Sequence, residues 1–513
     1  MNNTKIENIL LKIFFTVFII VMGTLTILAF IFSYKNIELA QEYVFRFRDN
    51  IILNAVALLV IVGIAVLAKK KLAPVQWIAN INIEIFAIVV ALISVVLCVL
   101  WVLGSGAEPQ ADQWKMCNAA VMINNGDYSW FEKGEYIARN QHQLGIVTIL
   151  RVLFYIFGEW NYLSFQILNC IGVGLTIFYT YNIAKVLTDN KAAELISLLG
   201  IFICLPLYFY TAFVYGEILS IAMSTIGIYL FFALYKEFNY KRLAAFIFVV
   251  VGMLWARKNT VVILIAMLGI PAVKLLIERK KKYLLIIAAI TVGMLIKSLV
   301  ISALYDSHFP EDAYDMPSIL YIAMGTNDYE NRGGWYDGVH IAIYERNDFV
   351  PEAASDDAKQ VIVEFLKQCV QDPVYGVKFY TRKILSQWIA PMYQGIVMNN
   401  NVTGEQSNFI HFLYYDSRAW DFMDGFMNIL QLLVYVSVVY LVVDSWKNTR
   451  NLEFYMGLIA VFGGFLFSII WEAKTRYVFP YFIIMIPYAT IGFNLLVDNI
   501  YNKVFQKQNA EKS

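Results

Sequence analysis

The chain has 513 residues, of which 59% are hydrophobic and only 15% charged, with a net charge of +1 and a mean hydropathy of +0.60. A soluble globular domain carries about 25% charged residues, so this balance argues against a soluble protein and for an integral membrane protein, and the near-zero net charge gives no reason to expect nucleic acid as a partner. The five cysteines (Cys98, Cys117, Cys170, Cys204 and Cys369) show no CxxC or zinc spacing and predict neither a disulfide framework nor a metal site.

Apolar runs long enough to cross about 30 Å of hydrocarbon, which takes roughly 20 helical residues, recur along the chain. They are continuous, not alternating, so they predict helices and not barrel strands. In chain order the expected spans are 9–33, 51–68, 82–103, 162–187, 194–213, 217–235, 243–256, 261–277, 284–304, 423–443, 454–471 and 477–497. The first is too long for a signal-peptide core and lacks a small-residue cleavage site, which makes it a retained span. The expected fold is therefore an all-α polytopic membrane protein with about 12 transmembrane helices.

The basic residues orient this bundle. Lys69 to Lys71, "KEFNYKR" at 236–242, "ERKKK" at 278–282, "WKNTR" at 446–450 and the lysine-bearing tail after Tyr501 share one face if both termini are cytoplasmic. The loops 104–161 and 305–422 then lie outside a plasma membrane. "LGIVTILRVLFYIF", 144–157, is apolar but only 14 residues long and carries Arg151. As a span it would reverse every later loop, so it is expected to lie in the interface with Arg151 reaching for headgroups. In the long loop, one amphipathic helix is expected from Ser355 and another from Pro373. The units expected are two N-terminal spans (1–81), a membrane core (82–304), an outer cap (305–422) and the C-terminal spans with their tail (423–513).

Polar residues gather at the outer ends of these spans. Asp112 opens the segment "DQWKMCNAAVMINNG", either as a helix N-cap or as a general base. Glu217 in "VYGE" stands at a helix N-terminus. Arg257, Lys258 and Asn259 in "ARKNT", and Glu472, Lys474, Arg476 and Tyr477 in "WEAKTRYVFPY", sit at other outer mouths. Each group reads either as an interface anchor or as a clamp for phosphate, for which Arg and Lys supply charge-assisted contacts. His142 in "NQHQLG" is a substrate contact or a proton carrier near neutral pH. Trp335, in "MGTNDYENRGGWYDG", is either a sugar-stacking side chain or the buried Trp of a folded turn.

An apolar span, an outer loop opening with Asp112, a juxtamembrane helix ending "IFGEWNY", then "FQILNCIGVGLTIFYTY", "LPLYFYTAFVYGE" and a late "KTRYVFPYFIIMIP" follow in that order. The order resembles the GT-C superfamily of membrane glycosyltransferases, in particular bacterial relatives of the protein O-mannosyltransferases and of the aminoarabinose transferase of lipid A. The resemblance covers most of the chain from about residue 82 onward. It implies a GT-C-type bundle with juxtamembrane helices in its first outer loop, and inverting transfer of a sugar from a polyprenyl-phosphate carrier to an extracytoplasmic acceptor. The acid of the family's first loop matches Asp112, and its late basic residues match Lys474 and Arg476. Gln113 stands where relatives often have a second acid, so a divalent metal is compatible with the resemblance but not indicated, and no cofactor is required. Gln113, His142, Glu217, Arg257, Lys258, Asn259, Trp335, Lys474, Arg476 and Tyr477 are the expected substrate-binding residues, with Asp112 as base.

The implied partners are the lipid-linked donor, an envelope polymer, glycolipid or protein acceptor, membrane lipids, and an upstream polyprenyl-phosphate sugar synthase. A polysaccharide polymerase or ligase, and a lipid-linked sugar flippase or transporter, are the competing readings. Transporters place ionisable residues near the bilayer midplane, whereas the clearest charge inside a span here, Lys297, is close enough to the outer interface to snorkel.

Overall fold

The computed structural model describes residues 3–36, 44–72, 82–399, 412–413 and 417–506. The end of the outer cap and the last seven residues of the tail therefore lie partly or wholly outside the described residues. The chain is helical almost throughout. It opens with α1 (Asn3–Ile31), followed by a hairpin of β1 (Phe32–Lys35) and β2 (Phe45–Arg48), paired antiparallel with Phe32 opposite Arg48. This hairpin was not expected; its "FRFR" alternates with period two, a strand signal too short to stand out beside a long helix.

The next elements are α2 (Ile51–Leu72), α3 (Ile83–Ser105), α4 (Asp112–Asn124), the single turn α5 (Tyr136–Arg139), α6 (Leu144–Phe157) and α7 (Tyr162–Leu187). They are followed by α8 (Lys191–Phe202), α9 (Leu205–Phe209), α10 (Glu217–Lys236), α11 (Tyr240–Ala256), α12 (Val261–Glu278) and α13 (Lys281–Tyr305). The cap consists of α14 (Ser318–Thr326), α15 (Val339–Arg346), α16 (Pro351–Gln371) and α17 (Pro373–Trp388). The chain closes with α18 (Arg418–Ser445), α19 (Met456–Ile470) and α20 (Thr475–Tyr501).

Among the described residues ten helices are long and apolar enough to cross a membrane, or eleven if α8 and α9, bent by 49° at their junction, count as one. Pro206 within α9 cannot donate to the preceding turn, which accounts for the break. The remaining expected span is α11, 17 residues and so about 26 Å at 1.5 Å per residue. Although short, it folds back along α10, from which three residues separate it. Arg257 at its end meets Glu217 at the start of α10, and at the opposite level Lys282 of α13 donates to the carbonyl of Tyr235 in α10. This is a multi-pass membrane protein.

The helices differ in what they face. Ile52, Leu59 and Ile64 of α2 are 76%, 71% and 62% exposed, as lipid-facing side chains must be, whereas α10 and α20 are buried along most of their length and form the centre of the bundle. A bundle end away from the hairpin carries its own ion pairs. There Lys274 meets Glu7 (2.9 Å), Glu278 (3.2 Å) and Glu453 (3.2 Å), and Lys185 meets Glu84 (2.9 Å).

Two local expectations are corrected. Helix α16 begins at Pro351, not Ser355, because proline at the first helical position loses no intrahelical bond; Ser355 instead donates to the Pro351 carbonyl. The expected start at Pro373 holds, with Asp372 accepting from the N–H groups of Val374 and Tyr375. Helix α6 forms as a separate 14-residue helix, but Arg151 does not reach for headgroups. It donates to Asn124 and to the Tyr305 hydroxyl, each at 3.1 Å, and so ties α6 to α4 and α13.

Candidate functional site

At the end of the bundle opposite Lys274, the segment between α3 and α6, the cap and the start of α20 enclose a cavity of about 440 Å³. Its wall contains Asp112, Gln113, His142, Lys474, Arg476 and Tyr477 of the expected site residues. These come from three separate stretches of sequence that the fold brings together.

Asp112 is the first residue of α4 and not its N-cap. That place belongs to Ala111, whose φ of 47° and ψ of −122° are unusual for a residue with a β-carbon. Such a conformation costs about 1–3 kcal/mol and tends to gather at functional sites. Its effect here is to turn Asp112 out into the cavity, where the carboxylate is exposed and makes no salt bridge with any described residue. Gln113 next to it is buried, and its side-chain carbonyl accepts from the N–H of Val214 at 2.7 Å, pinning α4 to the loop before α10. Two phenols neighbour Asp112. Burial, with a smaller push from the Asp112 carboxylate, raises both Tyr136 and Tyr215 above the ordinary tyrosine range, so both remain neutral donors.

The cationic side of the cavity is built on α20. Arg476 lies 5.4 Å from the centre of the Tyr215 ring and 3.8 Å from Glu217; Lys474 lies 5.3 Å from the Tyr336 ring and 3.9 Å from Glu472. Tyr477 donates to Glu472, and Arg257 donates to Glu217 while stacking on Tyr215 and Tyr477 at 5.2 Å. Glu217 is thus the counter-charge that holds two guanidiniums, one of which faces the cavity. The close approach needs Gly216, since a β-carbon there would stand 2.0 Å from the Ala256 carbonyl oxygen.

Several expected residues do not line the cavity. Glu217 and Arg257 stand behind its wall, and Lys258 and Asn259 occupy the short turn after α11. Trp335 is not a sugar-stacking side chain. It is 1% exposed, its indole N–H donates to Ser386 at 2.9 Å, and its neighbour Tyr336 faces the cavity instead. Nor is His142 a proton carrier near neutral pH: burial, and then the charges of Lys258, Arg257 and Lys297, push it down to about 3, leaving a neutral imidazole.

Lys115, Tyr136, Arg139, Tyr321 and His340 also line the cavity and were not among the expected residues. Lys115 had a signal, since it lies three residues after Asp112 and therefore on the same helical face. Tyr321 and His340 come from the cap, where no periodicity marks which side chains turn inward. Beneath them, Lys383 is fully buried and donates to the Gly325 carbonyl, and burial pushes its amine down to about 7. Among the described residues no three His, Cys, Asp or Glu side chains converge in a set that could hold a metal ion. No protein-family model matches the chain, and no curated protein aligns with it significantly.

Proposed function

We propose that the protein is a GT-C-type glycosyltransferase that moves a sugar, with inversion, from a polyprenyl-phosphate carrier to an acceptor hydroxyl on the extracytoplasmic side of the plasma membrane. One observation carries this reading: an exposed carboxylate, Asp112, which makes no salt bridge with any described residue, shares a single cavity with two largely buried cations, Lys474 and Arg476, at a helix-end level of the bundle. A phosphate-linked sugar already has a good leaving group, so a base and a phosphate clamp meet its chemical needs. Asp112 takes the proton of the acceptor hydroxyl as its oxygen bonds to the anomeric carbon. The anomeric carbon–oxygen bond breaks, its electron pair goes to the phosphate, and Arg476 and Lys474 hold the charge that develops there. Tyr136, Tyr215 and neutral His142 supply hydrogen bonds to the sugar without competing for protons.

The orientation rests on the same geometry. The end of the bundle around Lys274 is opposite the cavity, and the positive-inside rule applied to the basic loops supports an extracytoplasmic cavity with both termini cytoplasmic. The placement of charge at helix ends argues against a transport path through the midplane.

The test is direct. Purified protein in lipid vesicles, given a polyprenyl-phosphate monosaccharide and cell-envelope glycan, should release polyprenyl phosphate and label the glycan. Release from polyprenyl-diphosphate oligosaccharides alone would instead identify a polymerase or ligase, and movement of donor across the vesicle without any product would identify a flippase.

A further inference from the structure

We propose that Lys115 and Arg139 form a second anion subsite beside Asp112, which selects an acceptor bearing a phosphodiester or carboxylate close to its attacking hydroxyl. This rests on the glycosyl-transfer reading for the role of Asp112, and on the cavity itself for the charge.

The charged residues of the cavity wall are Lys115, Arg139, Lys474 and Arg476 against Asp112 and Glu472, four cations to two carboxylates, with His142 neutral. Glu217 behind the wall and Glu345 of the cap each lie within ion-pair distance of one of these cations, so what sets the four apart is how each is held. The two cationic pairs differ in how they are held. Lys474 has Glu472 within 3.9 Å and Arg476 has Glu217 within 3.8 Å, both acids being buried with them. Lys115 makes no salt bridge with any described residue, and its ammonium rests 5.0 Å from the Tyr136 ring. Arg139 meets Glu345 of the cap at 3.4 Å, a carboxylate whose side chain is 54% exposed and which a ligand anion can replace.

Position singles out the same pair. Asp112 acts on both Tyr215 and Tyr136; Arg476 stacks on the first and Lys115 on the second. The base thus has a cation-bearing phenol from α20's side and another from its own helix. The donor phosphate takes the side with Lys474 and Arg476, where buried acids already orient the cations. The acceptor, whose hydroxyl must touch Asp112, is left beside Lys115, one helical turn along α4, and Arg139 at the end of α5. Arginine and lysine there suit an anion, because the planar guanidinium can take two oxygens of one group and the ammonium acts as a point charge.

The experiment measures equilibrium binding to full-length protein in nanodiscs at low salt, with two pairs of probes. One pair is a glycerol-phosphate trimer and its uncharged glycerol-ether analogue; the other is a glucuronate-containing disaccharide and its glucose analogue. At least one anionic probe should bind about tenfold more tightly than its neutral partner, and which one does so distinguishes phosphodiester from carboxylate. The preference should vanish in Lys115→Gln/Arg139→Gln and survive in Lys474→Gln. Glu345→Gln, which breaks the Arg139 pair but keeps the guanidinium, should preserve or strengthen it, so a loss caused only by disrupting the cap is separable. Equal binding within both pairs, or a preference that survives the double replacement, overturns the subsite. Because no lipid donor is present, the result is independent of whether sugar transfer is ever observed.

Discussion

The two ends of the bundle handle buried charge in opposite ways. At one end a single lysine, Lys274, is enclosed by Glu7, Glu278 and Glu453, with Lys280 also on Glu278 at 2.6 Å; every member has a partner in the protein. At the other end cations outnumber acids among the side chains lining a cavity, and among the described residues the lining carboxylate without a salt bridge is Asp112. A closed network of this kind joins helices, here α1, α12 and the turn before α19. The open one leaves Asp112 and Lys115 without a salt bridge to any described residue and facing the cavity.

Substitutions should separate the two ends, most strongly at the base. Asp112→Asn should lower sugar transfer by roughly 10²–10⁴, the usual contribution of a general base, while donor affinity stays within about twofold. Transfer surviving within tenfold would remove Asp112 from that role. Lys274→Met should do the reverse: it strands buried carboxylates and should cost about 3 kcal/mol of stability, seen as a lowered melting temperature in detergent, with turnover per folded molecule unchanged. Arg476→Ala should weaken donor binding about tenfold, some 1.4 kcal/mol, read by titration with polyprenyl phosphate. If the lysine variant loses donor affinity equally, the contrast between the ends fails.

The smallest effects are in pH dependence. Burial holds Asp315 at about 6, above its unfolded value, while the Gln141 N–H donates to it at 3.1 Å. The folded state then binds the proton more tightly, so this contribution is fully present below about pH 4 and is lost as pH rises through 6. Asp315→Asn should flatten melting temperature against pH in that window and raise it at pH 7. For His142, pushed down to about 3, the sign is opposite: its contribution is present above about pH 6.5 and is lost as pH falls toward 3. His142→Gln should therefore blunt acid unfolding without moving the acid limb of the activity profile.

How far the sequence anticipates all this depends on the range of the interactions. Spans are legible because each is a local run of apolar residues that must bury its own backbone bonds in hydrocarbon. Asp112 is legible because a carboxylate just after such a run is conspicuous, and the late Lys474 and Arg476 for the same reason. Glu217 was visible as a charge, but its task was not, because the partners Arg257 and Arg476 come from other helices. Arg151 looked like an interface residue until Tyr305 and Asn124 came within reach. Trp335 and Tyr336 are adjacent in an irregular segment with no period, so nothing in the order of residues says which of them turns toward the cavity.

That segment is also where the cap is fastened. The N–H of Ala473 donates to the Gly334 carbonyl at 2.8 Å, in a parallel bridge between Trp335 and Ala473, one residue before Lys474. Gly334 has a φ of +77°, and a β-carbon on it would stand 2.3 Å from the Gly325 carbonyl oxygen, so the two backbones can lie this close only with glycine there. Lifting the cap from α20 would break this bond and the one from the Lys474 N–H to the Gln387 side-chain carbonyl, each worth about 1 kcal/mol net, while the bonds of Trp335 to Ser386 and Lys383 to Gly325 hold the cap to itself. The roof that carries Tyr336 and the floor that carries Lys474 are thus coupled as a single mechanical unit, and a force on one is felt by the other.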